Sequence, residues 1–348
     1  MSRVFTSDNV TPASDAIMLA INEANVDTAP SYGGDRHTRL LQQKASSIFE
    51  KDVAIFPVAT GTAANALALS QLVPPYGAIY CYEAAHIVTD ECGAPELFTG
   101  GAKLIGFPSS NGKISPEQLA EAVEYAAKVG VHHVAPGAVS ITQSTECGTV
   151  YDISQISAIS AVARHHRLPL HMDGARFANA LVHLGCSPAE ATWKSGVDVL
   201  SLGATKNGAL CAEAVIFFDM TLARDFERRR KRGGHLWSKA RFLSAQLLAY
   251  LESDLWLLNA RQANAMAARL ASGLESAPGV RLVHPVQANE VFAVLPEARV
   301  KRLEAVGFEF YRWPLYTDAN GTAIRLVTSY MTRVQDVEDF VAALLDAA

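Results

Sequence analysis

The stretch VAIFPVATGTAANALALSQLV (Val53–Val73) passes from a short apolar strand, through a threonine and a glycine, straight into an alanine- and leucine-rich helix. An uninterrupted apolar run suits a strand covered on both faces, and a helix that follows at once suits a crossover to a parallel neighbour. The alternation then repeats. AIYCY, AKLIGF, GAVSIT, LPLHMD, VDVLSLG and CAEAVIFFD read as strands, with SPEQLAEAVEYAAKV, QISAISAVARHH and RFANALVHLG as helices among them. The class implied is α/β, with a largely parallel sheet covered on both sides.

From LARDFERRRKR to LASGLESAPG the pattern becomes almost continuous helix, and a few strands (GVRLV, EVFAVL, TAIRLVT) follow. We expect an N-terminal arm over 1–12, a large domain over 13–250, and a small C-terminal α+β domain with its helical connector over 251–348. The 348 residues agree with roughly 100–200 per domain.

A hydrophobic fraction of 49% is enough for a large core, and a net charge of -5 gives no excess of basic residues for binding nucleic acid. The start MSRVFTSDNV has no signal-peptide character, and no apolar run approaches the roughly 18 residues of a membrane helix, so the cytoplasm is expected. The five cysteines form no CxxC pair, which fits reduced thiols rather than a disulfide framework or a zinc ribbon.

Several stretches carry chemistry. Lys206, in SLGATKNGAL, stands alone among small residues, where a ligand has room beside it. Gly61 and Thr62 open a helix after a strand, so free N–H groups and the helix dipole favour an anion, although a capped turn explains them as well. In LHMDGARFANA, period-2 alternation puts His171 and Asp173 on one face, with Asp173 at the carboxyl end of the strand. Asp173 is open to three readings there: a ligand contact, a helix cap, or metal ligation with His171. His86 follows a short strand among small residues that let a flat ring approach, and Ser7 and Arg325 are candidates for holding a carboxylate.

Together these residues meet one set of needs. Lysine forms Schiff bases with carbonyls, aspartate keeps a pyridine nitrogen protonated, a glycine–threonine helix start holds phosphate, and arginine holds an amino-acid carboxylate. The cofactor they imply is pyridoxal 5'-phosphate. No metal site is expected.

The motifs SDN, YGGD, GTAAN, AAH, ECGAPE, HMDGARFANA, GATKNG and IRLV stand in the order seen in low-specificity L-threonine aldolases, which the chain resembles from about Ser7 to Tyr330. That family belongs to the aspartate-aminotransferase-like (fold type I) enzymes and the β-eliminating lyase group. The resemblance implies a mostly parallel seven-stranded sheet plus a small domain. It implies a Schiff base on Lys206, an Asp173 partner for the ring nitrogen, and His86 stacked on the ring. Gly61 and Thr62 would hold the phosphate, Arg176 would lie near the cofactor and the substrate carboxylate, and Ser7 with Arg325 would bind that carboxylate. Tyr32 would line the site, and Arg229 would reach the phosphate of a neighbouring subunit in a homodimer or homotetramer with shared active sites.

The implied activity is retro-aldol cleavage of L-threonine, L-allo-threonine and related β-hydroxy-α-amino acids to glycine and an aldehyde. Other reactions of the same fold stay open on these residues, namely β-elimination, racemisation and transamination, as does a non-catalytic binding protein. In one place the chain departs from the family pattern. Where many members carry a second active-site histidine, this sequence reads TQSTECG (Thr142–Gly148), which leaves the proton acceptor to His86, Thr145, Glu146 or a water.

Overall fold

The computed structural model describes residues 3–319 and 321–346. Seven strands form the main sheet: β1 (Ala54–Val58), β2 (Gly77–Tyr82), β3 (Lys103–Phe107), β4 (Ala135–Thr142), β5 (Leu170–Gly174), β6 (Val199–Leu202) and β7 (Glu213–Phe217). Their spatial order is β1-β7-β6-β5-β4-β2-β3. Neighbours from β6 to β3 run parallel, while β7 pairs antiparallel with both β6 and β1. β7 is the one reversed strand because only a short turn, the one that carries Lys206, links it to β6. A turn that short permits a hairpin and excludes a crossover.

A second, fully antiparallel sheet holds β8 (Arg281–Leu282), β9 (Glu290–Leu295), β10 (Tyr311–Arg312) and β11 (Thr322–Val327) in the order β10-β11-β9-β8. Each sheet has its own core. One gathers residues such as Leu41, Tyr80, Ile141, Met172 and Leu200; the other gathers Leu270, Val291, Leu326 and Phe340. Helix Leu255–Glu275 contributes Trp256 and Ala260 to the first core and Met266, Ala267, Leu270 and Leu274 to the second, so it ties them together. The N-terminal segment belongs structurally to the second core. Phe5 is buried in it and its backbone bonds to Glu309 and Val327.

The helical stretch after Leu222 is not continuous. It divides into helices Phe226–Arg232, Arg241–Leu251 and Leu255–Glu275. Gly234, at φ 79°, follows the first, and Ser253 and Asp254, at φ 49° and 54°, separate the last two. The apolar periodicity across these breaks hid them, since positive φ on Ser or Asp leaves no compositional mark.

Candidate active site

Parallel strands deliver their carboxyl ends to one edge of the sheet, and there the register sets Thr142, Asp173 and Ser201 side by side on β4, β5 and β6. Asp173 is 4% exposed. Its Oδ2 accepts from Asn65 Nδ2 at 2.7 Å and its Oδ1 from the Ala175 backbone N–H at 2.9 Å. It does not cap the next helix, Phe177–Leu184, whose N-cap is Arg176. His171 lies deeper on the same strand, between Ser140 and Ser201, with 2.9 Å to each hydroxyl. Burial pulls its pKa down to about 4, so the imidazole is neutral. Both ring nitrogens of His171 are thus engaged by serine hydroxyls and not turned toward Asp173's ligand space.

Lys206 sits in a one-turn 3-10 segment, Thr205–Asn207, held from both sides. Glu213 accepts from the Ala204 N–H at 2.8 Å, and Asn207 Nδ2 donates to Tyr250 Oη and the Trp256 carbonyl at 2.8 Å each. The small neighbours serve the backbone as much as a ligand. A Cβ on Gly203 would collide with Ala175, and Gly208 holds φ at 108°. The Lys206 amine forms no hydrogen bond or ion pair among the described residues.

Around that amine lies an inner compartment lined among others by Gly61, Asn65, His86, Glu91, Glu146, Asp173 and Lys206. An outer compartment adjoins it, with Ser7, Tyr82, Trp313, Tyr316 and Arg325 in its walls. His86, Glu146, Arg176 and Lys206 line both.

His86 Nδ1 stands 2.9 Å from Glu91 Oε1, and Asn65 Nδ2 donates to the same oxygen at 2.8 Å. This hydrogen bond outweighs burial and raises the pKa of His86, whereas burial raises that of Glu91. Arg176 grips Asp8 through two bonds of 2.8 and 3.0 Å and pairs with Glu290 at 3.2 Å. Burial opposes the charge of Asp8, yet the Arg176 guanidinium brings its carboxyl below the ordinary value. Arg176 therefore has its fork engaged inside the protein. Arg325 is freer. Its guanidinium lies over Trp313 and Tyr311, 4.9 and 5.4 Å from their ring centres, and its buried Nε has no partner.

Ser7 reaches the outer compartment while it caps the short helix Asp8–Val10. Gly61 and Thr62 open helix Gly61–Leu72, where first-turn N–H groups have no intrahelical acceptor. A Cβ on Gly61 would meet nothing within 4 Å, so the space before these donors is open. Tyr32 and Arg229 line neither compartment of their own chain. Tyr32 lies under Lys231, 4.5 Å from ring centre to Nζ, and Arg229 bonds Gln71 at 2.6 Å. Of the basic run, Arg230 is the buried member, bonded to Glu227 and the Pro57 carbonyl.

Asn65, Glu91, Glu213, Asp8 and Glu290 entered the site without being singled out as site residues in the sequence. Asn65 had a legible signal, one helical turn after Gly61 on the same face. Glu91 comes from a short connecting segment, Asp8 from the short helix Asp8–Val10, Glu213 from the start of β7 and Glu290 from the second sheet, and only folding brings them together.

The β-eliminating lyase family model matches residues 5–298. The chain belongs to the β-eliminating lyase family. Its relatives include the low specificity L-threonine aldolase of Pseudomonas sp. (strain NCIMB 10558), 41% identical over 99% of both chains. That of Pseudomonas aeruginosa is 42% identical over 96% of this chain and 95% of its own. Among solved structures, the threonine aldolase of Leishmania major superposes with a TM-score of 0.93 at 28% identity, covering 99% of each chain. This lyase thus shares with it both the seven-stranded sheet and the small antiparallel one.

Proposed function

We propose that the chain is a pyridoxal phosphate-dependent aldehyde-lyase that cleaves the Cα–Cβ bond of L-threonine, L-allo-threonine and other β-hydroxy-α-amino acids to glycine and an aldehyde. The observation that carries the cofactor assignment is the pairing of an unengaged Lys206 amine with a buried Asp173 whose hydrogen-bond partners are both neutral. A buried carboxylate without a cationic hydrogen-bond partner is costly, and a ring N–H⁺ supplies that partner. The open space before the Gly61 and Thr62 amides suits a phosphate, so the residues present fit the group.

When bound, pyridoxal phosphate supplies a ring that takes up the electron pair released at Cα. The chain does the rest. Lys206 would hold the cofactor through its unengaged amine. Asp173, kept in place by Asn65 and the Ala175 amide, would hold the ring nitrogen's proton. His86, in the wall of the same compartment, would hold the ring. Arg325, with its unpartnered Nε, receives the substrate carboxylate near Ser7, and the Arg176–Asp8–Glu290 set braces the wall beside it. A carboxylate fixed in this way orients the Cα–Cβ bond for cleavage over competing losses.

The two Pseudomonas relatives favour the aldolase reading over β-elimination, racemisation or transamination on the same residues. We place the enzyme in the cytoplasm as a homodimer or homotetramer, with Arg229 serving a neighbouring chain's phosphate. No helix among the described residues is long and apolar enough to cross a membrane. The direct test offers L-threonine and L-allo-threonine separately and measures glycine and acetaldehyde. Stoichiometric release of both from either epimer is expected. Pyruvate, a keto acid or the D-epimer without glycine would overturn the assignment.

A further inference from the structure

We infer that Glu146 is the proton acceptor at the substrate's β-hydroxyl, in the place where many relatives carry a second histidine. The inference rests on the aldolase reading above and is carried by position and by an unused oxygen. The reacting hydroxyl is on Cβ, so a substrate with its amine toward Lys206 and its side chain toward the outer compartment would carry it where the two compartments meet. An acceptor must reach both. Four residues line both compartments, and two of these are unsuitable. Arg176 is a cation engaged by Asp8, and Lys206 is the cofactor's amine.

His86 and Glu146 remain, and the structure binds them to each other. Glu146 Oε1 accepts from the His86 backbone N–H at 3.0 Å and from Thr142 Oγ1 at 2.7 Å. These two bonds fix the carboxyl plane. Its Oε2 is buried without a partner, whereas His86 has Nδ1 taken by Glu91 and keeps Nε2, so Glu146→Gln and His86→Phe separate the two groups. Every other carboxylate in the walls lines one compartment only, although Glu91 and Glu290 also keep an Oε2 without a hydrogen bond. Asp173 and Glu213 each accept backbone or amide bonds on both oxygens, Glu290 pairs with two arginines, Asp90 takes the Thr89 hydroxyl, and Glu91 lines only the inner space. Thr145, the other residue open in the sequence reading, is fully buried and bonded to Thr149.

In the step itself the β-hydroxyl proton passes to Glu146 Oε2. The O–H electron pair becomes the second bond of the aldehyde carbonyl, and the Cα–Cβ pair stays with the glycyl carbon, which later takes a proton at Cα. Atoms and charge balance without a further reactant. Burial pushes the Glu146 carboxyl up to about 7, so the group exchanges a proton near neutrality. The titratable groups that face it are Asp173 on β5, Cys81 and Tyr82 on β2, His86 beyond that strand, and Cys147 and Tyr151 in its own loop.

The test compares wild type, Glu146→Gln and His86→Phe. In Glu146→Gln, kcat on L-threonine should fall about 10²- to 10⁴-fold, with the rise of kcat through neutral pH lost. Exchange of the glycine α-proton for deuterium, which needs no hydroxyl acceptor, should stay within about tenfold. Infrared difference spectra of the chain without substrate should show a protonated-carboxyl signal near neutral pH that titrates away as pH rises, and Glu146→Gln should lose the Glu146 share of it while keeping that of Glu213. Near-normal cleavage by Glu146→Gln, or a full loss confined to His86→Phe, overturns the inference while leaving the aldolase reading intact. A parallel loss of glycine exchange and cofactor absorbance in Glu146→Gln makes the role structural and also overturns it. Failure of wild type to release glycine from threonine removes the aldolase reading, and the inference with it.

Discussion

Glu91 Oε1 stands 2.9 Å from Nδ1 of His86, deep enough that the Glu91 carboxylate is 4% exposed. This bond is the first cause of the raised His86 pKa. Glu91→Gln should therefore lower it, read from ring-nitrogen chemical shifts across pH. For a histidine raised on folding, the stabilisation is full below the unfolded value of about 6.5 and is lost as pH rises through the folded value. The variant's deficit in unfolding free energy should accordingly shrink as pH rises above neutrality. A deficit that grows from neutral to alkaline pH would refute the pairing.

Removing the lysine should spare the fold. The turn around Lys206 is held by Glu213 and Asn207, not by the lysine's own amine. Lys206→Ala should lose the visible Schiff-base absorbance and all cleavage above background, with its thermal midpoint within a few degrees of wild type. A variant that keeps the band and turns over would end the cofactor assignment.

Arg325 is expected to act on substrate alone. Charge-assisted hydrogen bonds contribute roughly 1.5–3 kcal/mol, or about ten- to hundredfold in affinity. Arg325→Ala should raise KM by that factor with a smaller change in kcat, and cofactor titration should match wild type. Weaker cofactor binding at unchanged KM would move Arg325 out of the carboxylate role.

Glu213 offers a pH test of the lysine turn. Burial pushes its carboxyl up to about 7. A carboxyl raised on folding stabilises the fold fully below its unfolded value, about 4.3, and loses that contribution as pH rises through about 7. Glu213→Gln does not titrate, so wild type should lose on the order of 3 kcal/mol relative to it between about pH 4 and pH 8. Denaturant unfolding at both pH values reads this directly, and parallel curves for the two proteins would show that Glu213 does not carry the shift.

Arg229 contributes nothing to its own chain's cleft, so its proposed role requires a neighbour. Mixing an Arg229→Ala chain with a Lys206→Ala chain should restore part of the activity, because one of the two sites in a mixed dimer is intact. Verified mixed dimers without activity would exclude sharing through Arg229.

Much of this molecule was legible in one dimension. Val53–Val73 announced the βα unit because a buried parallel strand must be apolar throughout and a helix must follow it, and Asp173 and Lys206 stood out by their surroundings. The sequence also showed that a histidine was missing at TQSTECG. What replaced it was not legible. Whether Glu146 reaches the cleft depends on the His86 amide and the Thr142 hydroxyl, brought there by β2 and β4. The same holds for Arg176 and Arg325, alike as residues. One is gripped by Asp8 and stands 3.2 Å from Glu290, whereas the other stands 3.9 Å from Glu290 and keeps an unpartnered Nε. Periodicity and residue type determined the elements and the chemistry available, because burial and backbone geometry act locally. Which charged groups were neutralised and which stayed open to a ligand was decided by the tertiary structure, because desolvation and pairing depend on neighbours far away in the chain.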